Sequence, residues 1–212
     1  MKPAGNRKDP FRALVDAIVI ADVTTATRML AASPNLARER AVHGATRQAA
    51  GDSFFDEILH YMYEGDSALH MAAAAYQKEI AIDLIGKGAV VRSRNRRGAE
   101  PLHYASDGVP GSRGWNPPAQ AATIAILIEA GADPNSLDKS GVAPLHRAVR
   151  TRCAAAVEAL LQGGADPCAR NKSGSTPLLL ASQNTGRGGS GSPEARAQQE
   201  EILRLLQRRG AT

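Results

Sequence analysis

Three histidines, His70, His103 and His146, each follow a leucine in nearly the same setting: SALHMA at 67–72, EPLHYA at 100–105 and APLHRA at 143–148. Imidazole is the commonest metal ligand and general base. Three that converged on one point would make a zinc centre. The run GRGGSGSP at 186–193 has the look of a phosphate loop. It lacks the G-x-x-x-x-G-K-[ST] pattern, and no strand precedes it, so it reads as a flexible connection between helices. The two cysteines, Cys153 and Cys168, form neither a CxxC pair nor a disulfide framework. That favours a reducing compartment. The sequence carries no G-x-S-x-G elbow, no H-E-x-x-H helix and no paired-carboxylate arrangement. No catalytic site and no cofactor are expected.

Arginine offers a different chemistry, because its planar fork grips carboxylates and phosphates bidentately. RSRNRR at 92–97 has four arginines and no acid. Between 141 and 187 six Lys or Arg, at 147, 150, 152, 170, 172 and 187, face only Glu158 and Asp166. The 212-residue chain has a formal net charge of +5. Such a face is either ordinary solvated surface or a groove for an acidic partner. Trp115 is the single tryptophan and lies beside Arg113 in a Gly- and Pro-rich stretch. It is either an exposed interface anchor or a ring folded back to hold its own loop.

What positions these residues is a repeat. The leucines of the three histidine segments, with that of TPLLLA at 176–181, are Leu69, Leu102, Leu145 and Leu178, separated by 33, 43 and 33 residues. Gly-Ala recurs in step at 88, 131, 164 and 210. Apolar pairs precede the first three: Leu84-Ile85, Leu127-Ile128 and Leu160-Leu161. Aromatics are 4% of the chain, so the core must be built from Ala, Leu, Ile and Val. Degraded T-P-L-H-x-A copies on a 33-residue period resemble the ankyrin repeat family. The resemblance implies an all-α solenoid of stacked helix-turn-helix units with short β-hairpin or loop fingers.

It covers residues 10–212 as a single domain, after a polar tail at 1–9. The repeats fall at about 10–37, 62–94, 95–137, 138–170 and 171–212, with insertions at about 38–61, 106–120 and 184–199. The first repeat lacks the motif. It is counted because Leu14 and Met29-Leu30 show the same separation as Leu69 and Leu84-Ile85. In the first insertion, SFFDEILHYMY places Phe54, Phe55, Ile58, Leu59 and Met62 on one helical face, which predicts an amphipathic helix laid on the stack. The next helix after the second insertion should start near Pro117-Pro118. Ser67 and Thr176 fit as helix caps, whereas Glu100 and Ala143 depart from the pattern. Each Gly of the Gly-Ala landmarks should close a helix in the left-handed conformation. Leu206-Gln207 replaces the apolar pair in the last repeat, as a terminal helix facing water would allow.

The resemblance also assigns roles. Adjacent repeats stack about 10 Å apart, too far for the histidines to share one ion. In the family this histidine bonds the neighbouring hairpin backbone. The fingers would be 92–97, 136–141 and 169–174, and with the exposed inner-helix positions they line a concave groove. That groove would include Arg94, Arg96, Arg97, Lys139, Arg150, Arg170 and Lys172, with Thr151, Gln183 and Asn184 at similar exposed positions. Tyr61, Tyr63 and Tyr104 would line one end, with Trp115 as a candidate anchor. The expected function is protein–protein interaction, as adaptor, inhibitor or scaffold, with an acidic protein as partner and no catalysis. The alternative is a binder of nucleic acid or another polyanion through the arginine finger. The reading expects a cytoplasmic monomer with no membrane contact, or an effector delivered elsewhere. Ala- and Arg-rich composition suggests a GC-rich bacterial source.

Overall fold

A computed structural model describes residues 9–46, 48–183 and 192–211. Ten α-helices lie among them: α1 (Pro10–Val19), α2 (Val23–Ala32), α3 (Ala68–Ala74), α4 (Lys78–Gly86), α5 (Pro101–Ala105), α6 (Pro117–Glu129), α7 (Pro144–Arg150), α8 (Ala154–Gln162), α9 (Pro177–Ser182) and α10 (Pro193–Arg208). The odd-numbered helices pack on one another in order, α1 on α3, α3 on α5, α5 on α7 and α7 on α9. The even-numbered helices form a parallel outer row from α2 to α10. Leu14, Leu69, Leu102 and Leu145 fill the inner layer, and Leu30, Leu84, Leu127, Leu160 and Leu206 the outer one, all fully buried or nearly so. This is a helical solenoid in which each pair buries its apolar faces against its neighbours.

The helices begin and end by repeated local chemistry. Thr176 caps α9 with its hydroxyl, which accepts from the Leu179 amide at 3.2 Å. In the three earlier repeats the histidine supplies the reciprocal half of a cap, reaching back to the amide of the cap residue. Nδ1 of His70, His103 and His146 accepts from the amides of Ser67, Glu100 and Ala143 at 3.1, 3.1 and 3.2 Å. This bond depends only on the cap residue's backbone, so it forms alike at Ser67, Glu100 and Ala143. At the outer-helix ends, Gly88, Gly131, Gly164 and Gly210 have φ of 89°, 99°, 92° and 75°. The following alanine amides bond back to the carbonyls of Leu84, Leu127, Leu160 and Leu206 at 2.9–3.1 Å. These are Schellman closures, as the Gly-Ala landmark predicted.

The first insertion departs from expectation. SFFDEILHYMY is not a helix. A 3-10 turn (Gly51–Ser53) leads into a hairpin of β1 (Phe54–Phe55) and β2 (His60–Tyr61), with Phe54 opposite Tyr61 and their rings 4.6 Å apart. Tertiary hydrogen bonding overrides the helical period here. The Met62 amide donates to Ser53, its carbonyl accepts from Ala45, and Ala41 pairs with Asp66 and Gly65 at 2.7–2.8 Å. A helix through residue 63 would withdraw the Met62 amide from this exchange. Phe55 and Met62 are buried, while Leu59, at the turn with φ of 50°, is exposed. The second insertion gives way to α6 at Pro117, capped by Asn116.

Candidate binding site on the concave face

The fingers share an organiser. Oδ1 of Asn95 accepts from the amides of Arg97 and Ala99, Oδ1 of Asp138 from Ser140 and Val142, and Oδ1 of Asn171 from Ser173 and Ser175, all at 2.8–3.1 Å. Each finger also receives a histidine from the preceding repeat. Nε2 of His70 donates to Ala99 O, that of His103 to Val142 O, and that of His146 to Ala169 O, each at 3.1 Å. Both ring nitrogens are thus engaged in structure. Burial lowers all three histidine pKa values, that of His103 to about 3, where the Arg147 charge adds to burial. Successive fingers touch. The Lys139 amide donates to Arg97 O at 2.9 Å, and Lys172 Nζ to Lys139 O at 2.6 Å. A Cβ on Gly98 would meet the Lys139 nitrogen at 2.9 Å, and one on Gly141 the Lys172 nitrogen at 3.0 Å.

The arginines do not form one free basic face. Arg94 Nε lies 3.1 Å from Oε1 of Glu100, a carboxylate only 1% exposed, which Arg92 also approaches at 3.6 Å. Arg96 donates to the Ala45 carbonyl in the first insertion. Arg97 donates to the Tyr63 hydroxyl at 3.0 Å, with its guanidinium 4.9 Å from that ring's centre. Arg170 curls onto Gly174 O at 2.9 Å. Three residues expected at or near the surface are buried: Arg147 is 9% exposed, Arg152 3% and Thr151 7%. Thr151 uses its hydroxyl on Arg147 O at 2.9 Å, a bond that a polar residue at a helix end can make inward. Gln183 is exposed. Asn184, Arg187 and most of GRGGSGSP lie outside the described residues.

Arg147 bridges two carboxylates. Nη1 lies 2.8 Å from Asp107 and Nη2 3.0 Å from Asp138. Burial pushes the Asp107 carboxyl upward, but Arg147 and then His60, 3.5 Å away, outweigh it and hold it well below the usual range. Asp107 opens the second insertion, so this ion pair fastens that loop to α7. Tyr76, in the turn between α3 and α4, donates to Asp107 O at 2.6 Å. Gln120 donates to Ala105 O at 2.9 Å and to Asp107 O at 3.1 Å. A second buried carboxylate, Asp66, accepts from Asn95 Nδ2 and the Tyr104 hydroxyl, both at 2.8 Å. Sequence reasoning passed over Asp66, Asn95, Asp107 and Asp138. The one readable signal was the spacing NRRG, DKSG and NKSG at 95, 138 and 171.

Both insertions turn onto the concave side and meet there. A Cβ on Gly114 would lie 2.9 Å from the Glu57 carbonyl in the hairpin turn. Between them and the inner-helix ends lies a cavity of about 230 Å³. Ala74, Ala75 and Thr151 come from the inner helices, Ile58 and His60 from the hairpin, and Val109 and Trp115 from the loop. Tyr61, Tyr63 and Tyr104 line it as well. Of the candidate contact residues, the structure brings Arg97, Arg150 and Trp115 to this cavity. Arg94 and Arg96 serve the first insertion and its neighbouring finger, while Lys139, Arg170 and Lys172 lie along the finger row. Trp115 is half-buried, with its indole nitrogen shut off from solvent near the Cys153 sulfur, whose thiol burial pushes up to about 11. The ring is therefore turned inward, toward the start of α8.

Residues 127–181 match the family model described as ankyrin repeats (many copies). Over 143 residues the chain is 34% identical to the E3 ubiquitin-protein ligase KEG of Arabidopsis thaliana, an alignment that takes in 61% of this chain and 8% of that protein. The matched segment runs from α6 to α9, where the period is least interrupted. Residues 127–181 are thus ankyrin repeats by their match, and the Leu-His period, the histidine-to-finger bonds and the two rows of stacked helices carry the same pattern through the described helices.

Proposed function

We propose that this array is a protein-binding module that holds a partner along the concave groove and fingers and catalyses nothing itself. Ankyrin repeats generally mediate protein–protein interaction. The observation that carries the reading is where the insertions go. Both leave the repeat period on the concave side and touch at Gly114 and Glu57, so the groove becomes a walled site with Arg97, Arg150 and Trp115 on its lining. Lys139, Arg170 and Lys172 extend the contact surface along the fingers, with Arg94 and Arg96 behind it.

An acidic partner fits the charge of this face. The test is affinity capture from lysate of the source cells, at low and moderate salt and with nuclease present. The wild type is run beside an Arg97→Glu/Lys139→Glu/Lys172→Glu variant. Arg94 and Arg96 are left intact because they bind Glu100 and Ala45 within the fold. A discrete protein held by the wild type at moderate salt and lost by the variant is the expected result. A partner held equally by both would remove the finger row from the site. Capture of only nuclease-sensitive, salt-labile material would favour the polyanion alternative.

A further inference from the structure

We infer that the cavity between the hairpin and the Trp115 loop receives one carboxylate side chain from an acidic peptide segment of the partner. This rests on the protein-binding reading and names the chemistry of its central contact. Size comes first. At about 230 Å³ the cavity exceeds the roughly 150 Å³ that holds a benzene ring. It falls below the roughly 300–1,000 Å³ of sites that enclose drug-sized ligands. One amino-acid side chain fits; a folded element does not.

Charge comes second. Arg97, Arg147 and Arg150 line the cavity, against Asp107 and Glu57. Asp107 shares Arg147 with Asp138, and Glu57 is exposed at the hairpin turn. Arg97, which pairs with no carboxylate among the described residues, is the cation this lining offers an incoming anion. Preorganisation comes third. Arg97 is held by the Tyr63 hydroxyl and ring, so its fork loses little freedom on gripping a carboxylate. Tyr61, Tyr63 and Trp115 add ring surface for the carbon stem of the guest. A nucleic-acid strand is the weaker fit. It needs a row of cations along its backbone, whereas Arg94 and Arg96 beside the cavity are engaged with Glu100 and the Ala45 carbonyl.

Trp115 is the only tryptophan and lines the cavity, so its emission reports occupancy directly. The probe is an acetylated, amidated glutamate hexamer, with the glutamine hexamer as its neutral twin. The glutamate peptide should give a saturable change in Trp115 emission, and the glutamine peptide should bind about tenfold more weakly. Arg97→Gln should lose about tenfold in affinity with its circular dichroism unchanged. Arg113→Gln, next to Trp115 but outside the lining, should behave as wild type. Ala75→Leu fills the cavity without altering any charge and should abolish the response. Equal responses to both peptides would overturn the inference. So would equal displacement of the glutamate peptide by inorganic phosphate, or equal binding of a thymidine hexanucleotide. If a partner is captured and Arg97→Gln keeps it, while no glutamate peptide moves Trp115, the cavity assignment fails and the module reading stands. If the peptide binds but no partner is captured, the reverse holds.

Discussion

A buried imidazole that accepts one hydrogen bond at Nδ1 and donates another at Nε2 can take a second proton only by losing the first bond and charging a dry site. His70, His103 and His146 are all in that position. Burial is the first cause of their lowered pKa values; Arg147 adds to it at His103, while Asp66 opposes it at His70. The sign follows from linkage. Below the ordinary value of 6.5 the unfolded chain binds protons that the folded chain refuses. Stability is therefore complete above pH 6.5 and falls as pH drops from there toward His103's value of about 3. The slope is about 1.4 kcal/mol per pH unit for each histidine that is protonated only on unfolding. Urea midpoints at pH 7.5 and 5.5, at fixed ionic strength, should show that loss before carboxylates titrate. His103→Gln should be less stable at pH 7.5 but lose less on acidification. An unchanged midpoint between the two pH values would mean that the folded state also carries these protons. Asp107 works lower on the scale. Its lowered pKa gives stability that is present above 3.8 and lost as pH falls below it.

At the scale of the element, a finger is held by contact with the next finger, and two glycines separate that effect from backbone strain. Gly98 and Gly131 both have positive φ, 74° and 99°. A Cβ at Gly131 meets nothing within 4 Å, whereas at Gly98 it meets the Lys139 nitrogen at 2.9 Å. Gly131→Ala should cost only the left-handed penalty, about 1–2 kcal/mol. Gly98→Ala should cost more, because the Arg97 O to Lys139 N bond must also open. Comparison of denaturation midpoints checks this; equal losses would mean that the fingers do not depend on each other. The same locality decides what could be read in advance. Capping, Schellman closure and the inner leucines depend on residues a few positions apart and were legible. The hairpin at 54–61 was not, because its helical spacing is real and only distant partners, such as Ala45 for Met62, decide against it. The burial of Arg147 and Thr151 was hidden for the same reason. Arg147 and Thr151 look like exposed basic and polar positions until the start of the second insertion, Asp107 for Arg147 and Ser106 for Thr151, is folded against them. Trp115's inward turn is likewise toward Cys153, which no spacing rule connects to it.

Across the whole molecule, stability is a sum over neighbouring repeats, with one addition. The second insertion joins repeats that a plain array would leave apart: Asp107 receives Tyr76 from the turn after α3 and Arg147 from α7. The array should therefore divide beyond α7, or at α7 itself once that helix is weakened. Leu145 is the buried leucine of α7, 1% exposed. Leu145→Ala leaves a cavity and should cost about 2–5 kcal/mol. Because repeats contact only their neighbours, that loss falls on α7–α10 first and leaves α1–α6 with their own leucine layers. Unfolding should then proceed in two stages. Trp115 reports the first stage, since Arg150 and Thr151 of the fourth repeat line its cavity. Far-UV circular dichroism follows the helices of both stages. In the variant the Trp115 midpoint should precede the final loss of helix, while in the wild type the two should lie closer together. Coincident transitions in the variant, merely shifted to lower denaturant, would mean that the insertions bind all five helix pairs into one cooperative unit.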